Sequence, residues 1–197
     1  MNTTEAQAGF RPTQEEATRT SEGGAVMESI GAIATIALAI IALAGVLSNT
    51  LTAIATIILG AAIWVEGGSF AAHRSGASSS EGGAARSWQS SEGLAAEFLG
   101  GLTAIVLGVL ALLGIDPFML LAVATLVLGG GFLLSGLVTM GSTSQALAGL
   151  TALVLGLLAI IGIGSLSLVM AALIVLGGSA LLHGAATSGR TTFAGHR

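Results

Sequence analysis

Glu28, Glu97 and Gln145 share one register of an internal repeat, and Glu66, Ser135 and His183 share another. All six fall at the ends of long apolar segments, where an ionisable side chain is costly and by default a functional position. The chemistry they offer is proton binding. Carboxyls exchange acceptor for donor capacity when protonated, and imidazole is the side chain whose charge ordinarily changes near neutrality. Glu66 and His183 thus form a candidate pair responsive to acidification. A second reading fits the same residues: within a turn of the membrane boundary they are simply solvated, and Glu28 and Glu97 favour the positive end of a helix dipole.

Other chemistry finds little footing. The chain has no Cys, which removes disulfides, thiolate catalysis and Cys-ligated metals. His73, His183 and His196 lack metal-ligand spacing, and Gly129-Gly130-Gly131 lies in an apolar run without the strand–loop–helix context of a phosphate site. No nucleophile–base set or cofactor fingerprint is visible, so the chain reads as non-enzymatic, with neither cofactor nor metal. A net charge of −4 gives no reason to expect a nucleic acid partner.

These residues belong to a membrane protein. Hydrophobic residues make up 53% of the chain and charged residues 8%, against about a quarter charged in soluble domains. Six apolar segments, near 25–47, 51–72, 94–115, 118–140, 146–163 and 166–187, are each long enough to cross a hydrocarbon core of about 30 Å. They pair into three hairpins that align without gaps over 28–70, 97–139 and 145–187. Glu28, Gly31, Gly45, Gly60 and Gly67 fall on Glu97, Gly100, Gly114, Gly129 and Gly136, and then on Gln145, Ala148, Gly162, Gly177 and Gly184. A fixed period of this kind is a statement about architecture. It also accounts for Ala42-Leu43-Ala44, which taken alone resembles a signal-peptidase site, because the equivalent stretches end the same way in mid-chain. The first helix is therefore expected to be retained.

The division expected is a disordered tail (1–24), hairpin one (25–72), a Ser/Gly-rich linker (73–93), hairpin two (94–140), hairpin three (141–187) and a second tail (188–197). The turns inside the hairpins are placed at Ser48-Asn49-Thr50, at Asp116-Pro117 with Pro opening the next helix, and at Gly162 to Ser165. Turns this short make the two helices of a hairpin antiparallel neighbours.

Helices in lipid associate through close backbone packing, so small residues on one face mark an interface. The odd helices carry such a face three times: Gly31, Thr35, Ala39, Ala42, Gly45; Gly100, Ala104, Gly108, Ala111, Gly114; and Ala148, Ala152, Gly156, Ala159, Gly162. The even helices carry Ala55, Leu59, Ala62; Ala124, Leu128, Gly131; and Ala172, Leu176, Ser179, with Gly129 and Gly177 alongside. The fold class expected is an all-α integral membrane protein, six transmembrane helices in three antiparallel hairpins around a pseudo-threefold axis. Trp64, Phe70, Phe98 and Phe118 suit interfacial belts.

All six basic residues are Arg, at 11, 19, 74, 86, 190 and 197, and all fall on the side of the termini. The positive-inside rule makes that side cytoplasmic. The absence of Lys, with heavy Ala and Gly usage, points to a GC-rich prokaryotic genome and hence to its inner membrane.

The unit Phe98-Leu99-Gly100-Gly101, Gly108 to Leu112, Asp116-Pro117, Leu128 to Gly131 and Ser135-Gly136 resembles the short membrane repeat of HdeD-like acid-resistance membrane proteins. The resemblance implies six transmembrane helices and a role in acid or envelope stress, with no catalytic residue. Pro117 has Ser48 and Ser165 as its equivalents in the other copies. Two alternatives stay open: a small proton or solute channel or transporter, and a membrane scaffold or anchor. Beyond the lipid bilayer, a second copy or another membrane protein stays open as a partner.

Overall fold

A computed structural model describes the backbone of residues 14–77, 84–138, 143–162 and 165–194, and side-chain surroundings for 26–65, 96–138, 143–162 and 165–185. These residues form six helices: α1 (Gln14–Leu43), α2 (Ser48–Ala77), α3 (Ala84–Leu112), α4 (Pro117–Val138), α5 (Thr143–Ile160) and α6 (Leu166–Ala194). Five contain spans long and apolar enough to cross a membrane; α3 contributes the shorter apolar stretch Ala96–Leu112. The protein is all-α and multi-pass.

Four helices overrun the apolar spans. Residues 14–24, expected in a tail, belong to α1; 73–77 and 84–93, expected in the linker, belong to α2 and α3; 188–194 continue α6. Hydropathy marks where a helix leaves the bilayer, whereas backbone hydrogen bonding continues as long as the residues tolerate it. The Ala, Gln, Glu and Arg of these stretches do so readily. The remainder of the expected tails and linker, 1–13, 78–83 and 195–197, lies outside the described residues.

The first hairpin turn falls at 44–47, earlier than expected, so Ser48 opens α2 and its Oγ donates to the Ala42 carbonyl at 3.0 Å. The reason is the glycine that ends each odd helix. Gly45, Gly114 and Gly162 have φ of 89°, 81° and 83°, and their N–H groups donate to the carbonyls of Ala42, Ala111 and Ala159 at 3.0, 3.1 and 3.2 Å. This is the left-handed cap that glycine adopts without a Cβ penalty. A Cβ added at any of the three would meet nothing within 4 Å. Their place in the packing stripe is therefore corrected: the stripe ends at Ala42, Ala111 and Ala159, and the glycine after it makes the turn. Asp116-Pro117 behaves as expected, with Pro117 first in α4 and Asp116 Oδ1 accepting from Met119 N at 3.5 Å.

Each helix packs against its neighbours in sequence, and α6 closes on α1. The even helices α2, α4 and α6 also pack against one another, whereas among the described residues the odd helices touch only through one side-chain hydrogen bond between α5 and α3. Three hairpins therefore surround an axis, with even helices inside and odd helices outside. The even helices run parallel, and their repeat-equivalent positions Thr52/Leu121/Val169, Thr56/Thr125/Leu173, Leu59/Leu128/Leu176 and Ile63/Phe132/Ala180 are all buried, the last two sets within one core cluster. Steps of four, three and four residues between layers are the spacing of a coiled-coil seam. Thr56 and Thr125 enter it with their hydroxyls donating to the carbonyls of Thr52 and Leu121 at 2.8 Å, so no polar group is left bare on the axis.

The three seams between hairpins share one equivalent close approach. A Cβ on Gly60 would lie 2.7 Å from Gly101 O, one on Gly129 2.9 Å from Gly149 O, and one on Gly177 3.3 Å from Ala32 O. These are the same two repeat positions each time, which is what a pseudo-threefold axis requires. Gly108 and Gly156 serve the same seams, against Ile57 and Leu126, while Gly31 and Gly100 face their own hairpin partners, Ala62 and Val127. The small-residue face thus serves two neighbouring helices. Large apolar residues point the other way: Ile30, Leu99 and Leu147, or Ile40, Val109 and Leu157, are exposed at matching positions and form the lipid-facing belt.

Candidate functional site

The seam ends in polar residues on the side of the chain termini. After Ile63/Phe132/Ala180, the next layer in the same spacing is Glu66/Ser135/His183. Ser135 is buried, 4% exposed, and His183 is half-buried. The Glu66 side chain lies outside the described residues, and the expected Glu66–His183 pair with it.

From the odd helices come Glu28, Glu97 and Gln145, with 3%, 8% and 5% exposure. For Glu97 and Gln145, glycines of α4 bring the neighbouring helices close. A Cβ on Gly131 would lie 3.5 Å from both Ala96 O and Glu97 Cα, so α3 closes onto α4 there. A Cβ on Gly136 would lie 2.5 Å from Ala146 N, so α5 closes onto the other flank of α4. Ser135 stands between those two glycines. Across this narrowed stretch Gln145 Nε2 donates to Glu97 Oε1 at 3.2 Å. Residues one repeat apart, on helices that do not otherwise touch, are thereby joined.

The residue types explain the pairing. An ionised carboxylate only accepts hydrogen bonds, so a third Glu in this register would add charge and no donor; Gln145 supplies an amide N–H. Protonation of Glu97 would remove a charge and turn one acceptor oxygen into a donor, which changes what is available to the Gln145 amide. Ser179, the α6 equivalent of Gly131, adds a buried hydroxyl, 7% exposed, with no hydrogen-bond partner among the described residues. Trp64 and Phe98 stack beside the cluster, ring centroids 5.8 Å apart at 30°.

Of the six polar positions expected from the sequence, the structure shows Glu97 and Gln145 in contact and Glu28 and Ser135 buried. Sequence reasoning missed Gly136, Gly101 and Gly149 as packing residues and Ser179 as a buried polar one. Gly136 aligns with Gly67 and Gly184, and that register was the available signal. Comparison with known families, with curated proteins and with solved structures gives no match. The reading of the site therefore rests on its geometry.

Proposed function

We propose that the chain is a non-enzymatic membrane protein of acid or envelope stress, of the HdeD-like kind, placed in a prokaryotic inner membrane with both termini cytoplasmic. Its proton-responsive element is the buried layer of Glu28, Glu97 and Gln145. The observation that carries this reading is the Gln145–Glu97 hydrogen bond between two buried side chains of different hairpins. A group whose protonation changes that bond couples proton activity to hairpin packing. The other polar groups of the same two repeat registers are Ser135 of α4, His183 of α6, Glu28 of α1 and Glu66 of α2, with Ser179 of α6 buried one turn before His183. A channel along the axis is disfavoured by the filled layers Leu59/Leu128/Leu176 and Ile63/Phe132/Ala180.

Trp64 provides the test, because it stacks on Phe98, the neighbour of Glu97. In a Trp88→Phe background, Trp64 emission is expected to change as the pH is lowered from 7 to 4. Glu28→Gln with Glu97→Gln should abolish most of that change, since Gln imitates the protonated carboxyl at every pH. An acid-sensitive bacterial host expressing the chain should gain survival at low pH and lose the gain with the same pair of substitutions. An emission titration identical in both proteins contradicts the reading. Proton leakage from liposomes loaded with a pH-sensitive dye would instead favour the channel.

A further inference from the structure

The end of the bundle that carries the three hairpin turns is apolar where a loop in water is ordinarily polar. Leu47 and Leu113 are 68% and 70% exposed, and Val46, Ile115 and Ile161 are exposed as well. No described basic residue stands at this end, and its polar groups are partly engaged locally: Asp116 Oδ1 accepts from Met119 N, and the Ser165 and Ser167 hydroxyls lie 2.6 Å apart. The apolar tips continue the lipid-facing belt without a break, from Ile40, Ile41 and Leu43 into Val46 and Leu47, and from Val109 and Leu112 into Leu113.

Helix length gives an independent argument. The Trp64–Phe98 stack, next in sequence to Glu97, has the chemistry of a membrane-interface belt, and we infer one boundary of the hydrocarbon at its level, which leaves the exposed Leu134 and Leu137 of α4 in the headgroup region. From Phe98 to the end of α3 at Leu112 is a rise of about 21 Å, and the turn adds a few more, whereas the hydrocarbon is about 30 Å thick. Measured along α2, the distance from Trp64 back to Ser48 is about 24 Å. With the aromatic pair at its boundary, the turns stop short of the other one. Pushing the turns out into water would draw Glu28 and Glu97 correspondingly deeper into the hydrocarbon, which is costly for ionisable groups.

We propose that the turn-bearing end of the bundle does not emerge into water. Its three loops are seated in the adjoining leaflet, at the boundary between acyl chains and headgroups, and phospholipid covers the apolar face formed by Val46, Leu47, Leu113, Ile115 and Ile161. The protein consequently offers no surface to a soluble partner on that side, and all its soluble contacts are made on the side of its termini.

The chain has no native Cys, so single nitroxide labels can be placed cleanly in the full-length protein. Leu47→Cys, Leu113→Cys and Ile161→Cys are labelled in vesicles of phosphatidylcholine and phosphatidylglycerol, with Val109→Cys as the belt reference and Ser80→Cys as the reference on the termini side. Collision with oxygen is compared with collision with a water-soluble nickel chelate. All three tip labels are expected to resemble Val109, with an oxygen-to-nickel ratio several-fold above that of Ser80, unchanged when the protein is diluted in lipid. Ratios at the tips equal to that of Ser80 would overturn the proposal. So would exclusion of nickel that disappears on dilution, because the covering surface would then be a second copy of the chain.

Discussion

Gly149→Leu is expected to unfold the bundle far more readily than any substitution on its outer face. A Cβ at 149 already runs into the backbone of Leu133 and the Gly129 carbonyl, and neither can move without displacing α4. Overpacking a well-filled interface costs about 1–3 kcal/mol, and the figure belongs at the top of that range where the obstacle is backbone. Val109→Leu, on the lipid-facing side of α3, is the matched control and should leave thermal stability in detergent unchanged. Gly130→Ala should have the opposite sign, because a Cβ there meets nothing within 4 Å and glycine inside a helix is worse than alanine by about 0.5–1 kcal/mol. Gly129 of α4 and Gly149 of α5, facing each other across one seam, are thus needed for approach, while Gly130 between Gly129 and Gly131 is not. Equal melting of Gly149→Leu and Val109→Leu would remove the packing account.

The second large effect is expected at Gln145. Gln145→Leu removes the donor to Glu97 and leaves a buried carboxyl short of one partner, a loss of about 1–3 kcal/mol, and more if that carboxyl is ionised. Glu97→Leu alone removes the same hydrogen bond from the Gln145 side. The double variant, with both groups apolar, should lose clearly less than the sum of the single losses, with a coupling between about 0.5 and 3 kcal/mol. Additive losses would mean that the hydrogen bond contributes nothing beyond the packing of two side chains. Thermal stability at fixed pH and detergent concentration measures all three variants.

The architecture was legible in the sequence because membrane helices have few ways to associate. Glycine at matching positions in three gapless copies implies three equivalent interfaces, and Gly60–Gly101, Gly129–Gly149 and Gly177–Ala32 are those interfaces. What the pattern could not convey was which helices lie inside. In an odd helix the small residues serve two neighbours at once, and the inner seam through Leu59, Leu128 and Leu176 is built from large residues that also suit lipid. The glycines at 45, 114 and 162 were misassigned for a related reason: a helix cap and a packing contact both call for glycine, and only the backbone angle separates them. The helix ends were misplaced because hydropathy reports the bilayer and says nothing of hydrogen bonds beyond it. At the polar layer, equivalence of Glu28, Glu97 and Gln145 was visible, but burial was not. A residue near a membrane boundary reads the same whether it faces water or protein, and Gly131 and Gly136 decide the matter through backbone approach.

The threefold bundle requires a closed ring, with α6 against α1 as α2 lies against α3 and α4 against α5. Ile36 Cγ1 lies 3.0 Å from where a Cβ at 177 would stand, a separation suited to the sulfur of one cysteine bonded to the sulfur of the next. In the Cys-free chain, Ile36→Cys with Gly177→Cys should form an intramolecular disulfide under mild oxidation. The product is read as two fragments held together after cleavage at a protease site introduced within 78–83. Ile36→Cys with Gly178→Cys should remain uncrosslinked, because a Cβ at 178 faces open space. Crosslinking at 177 and not at 178 is the predicted result; no crosslink at 177, or equal crosslinking at both, would contradict the threefold bundle.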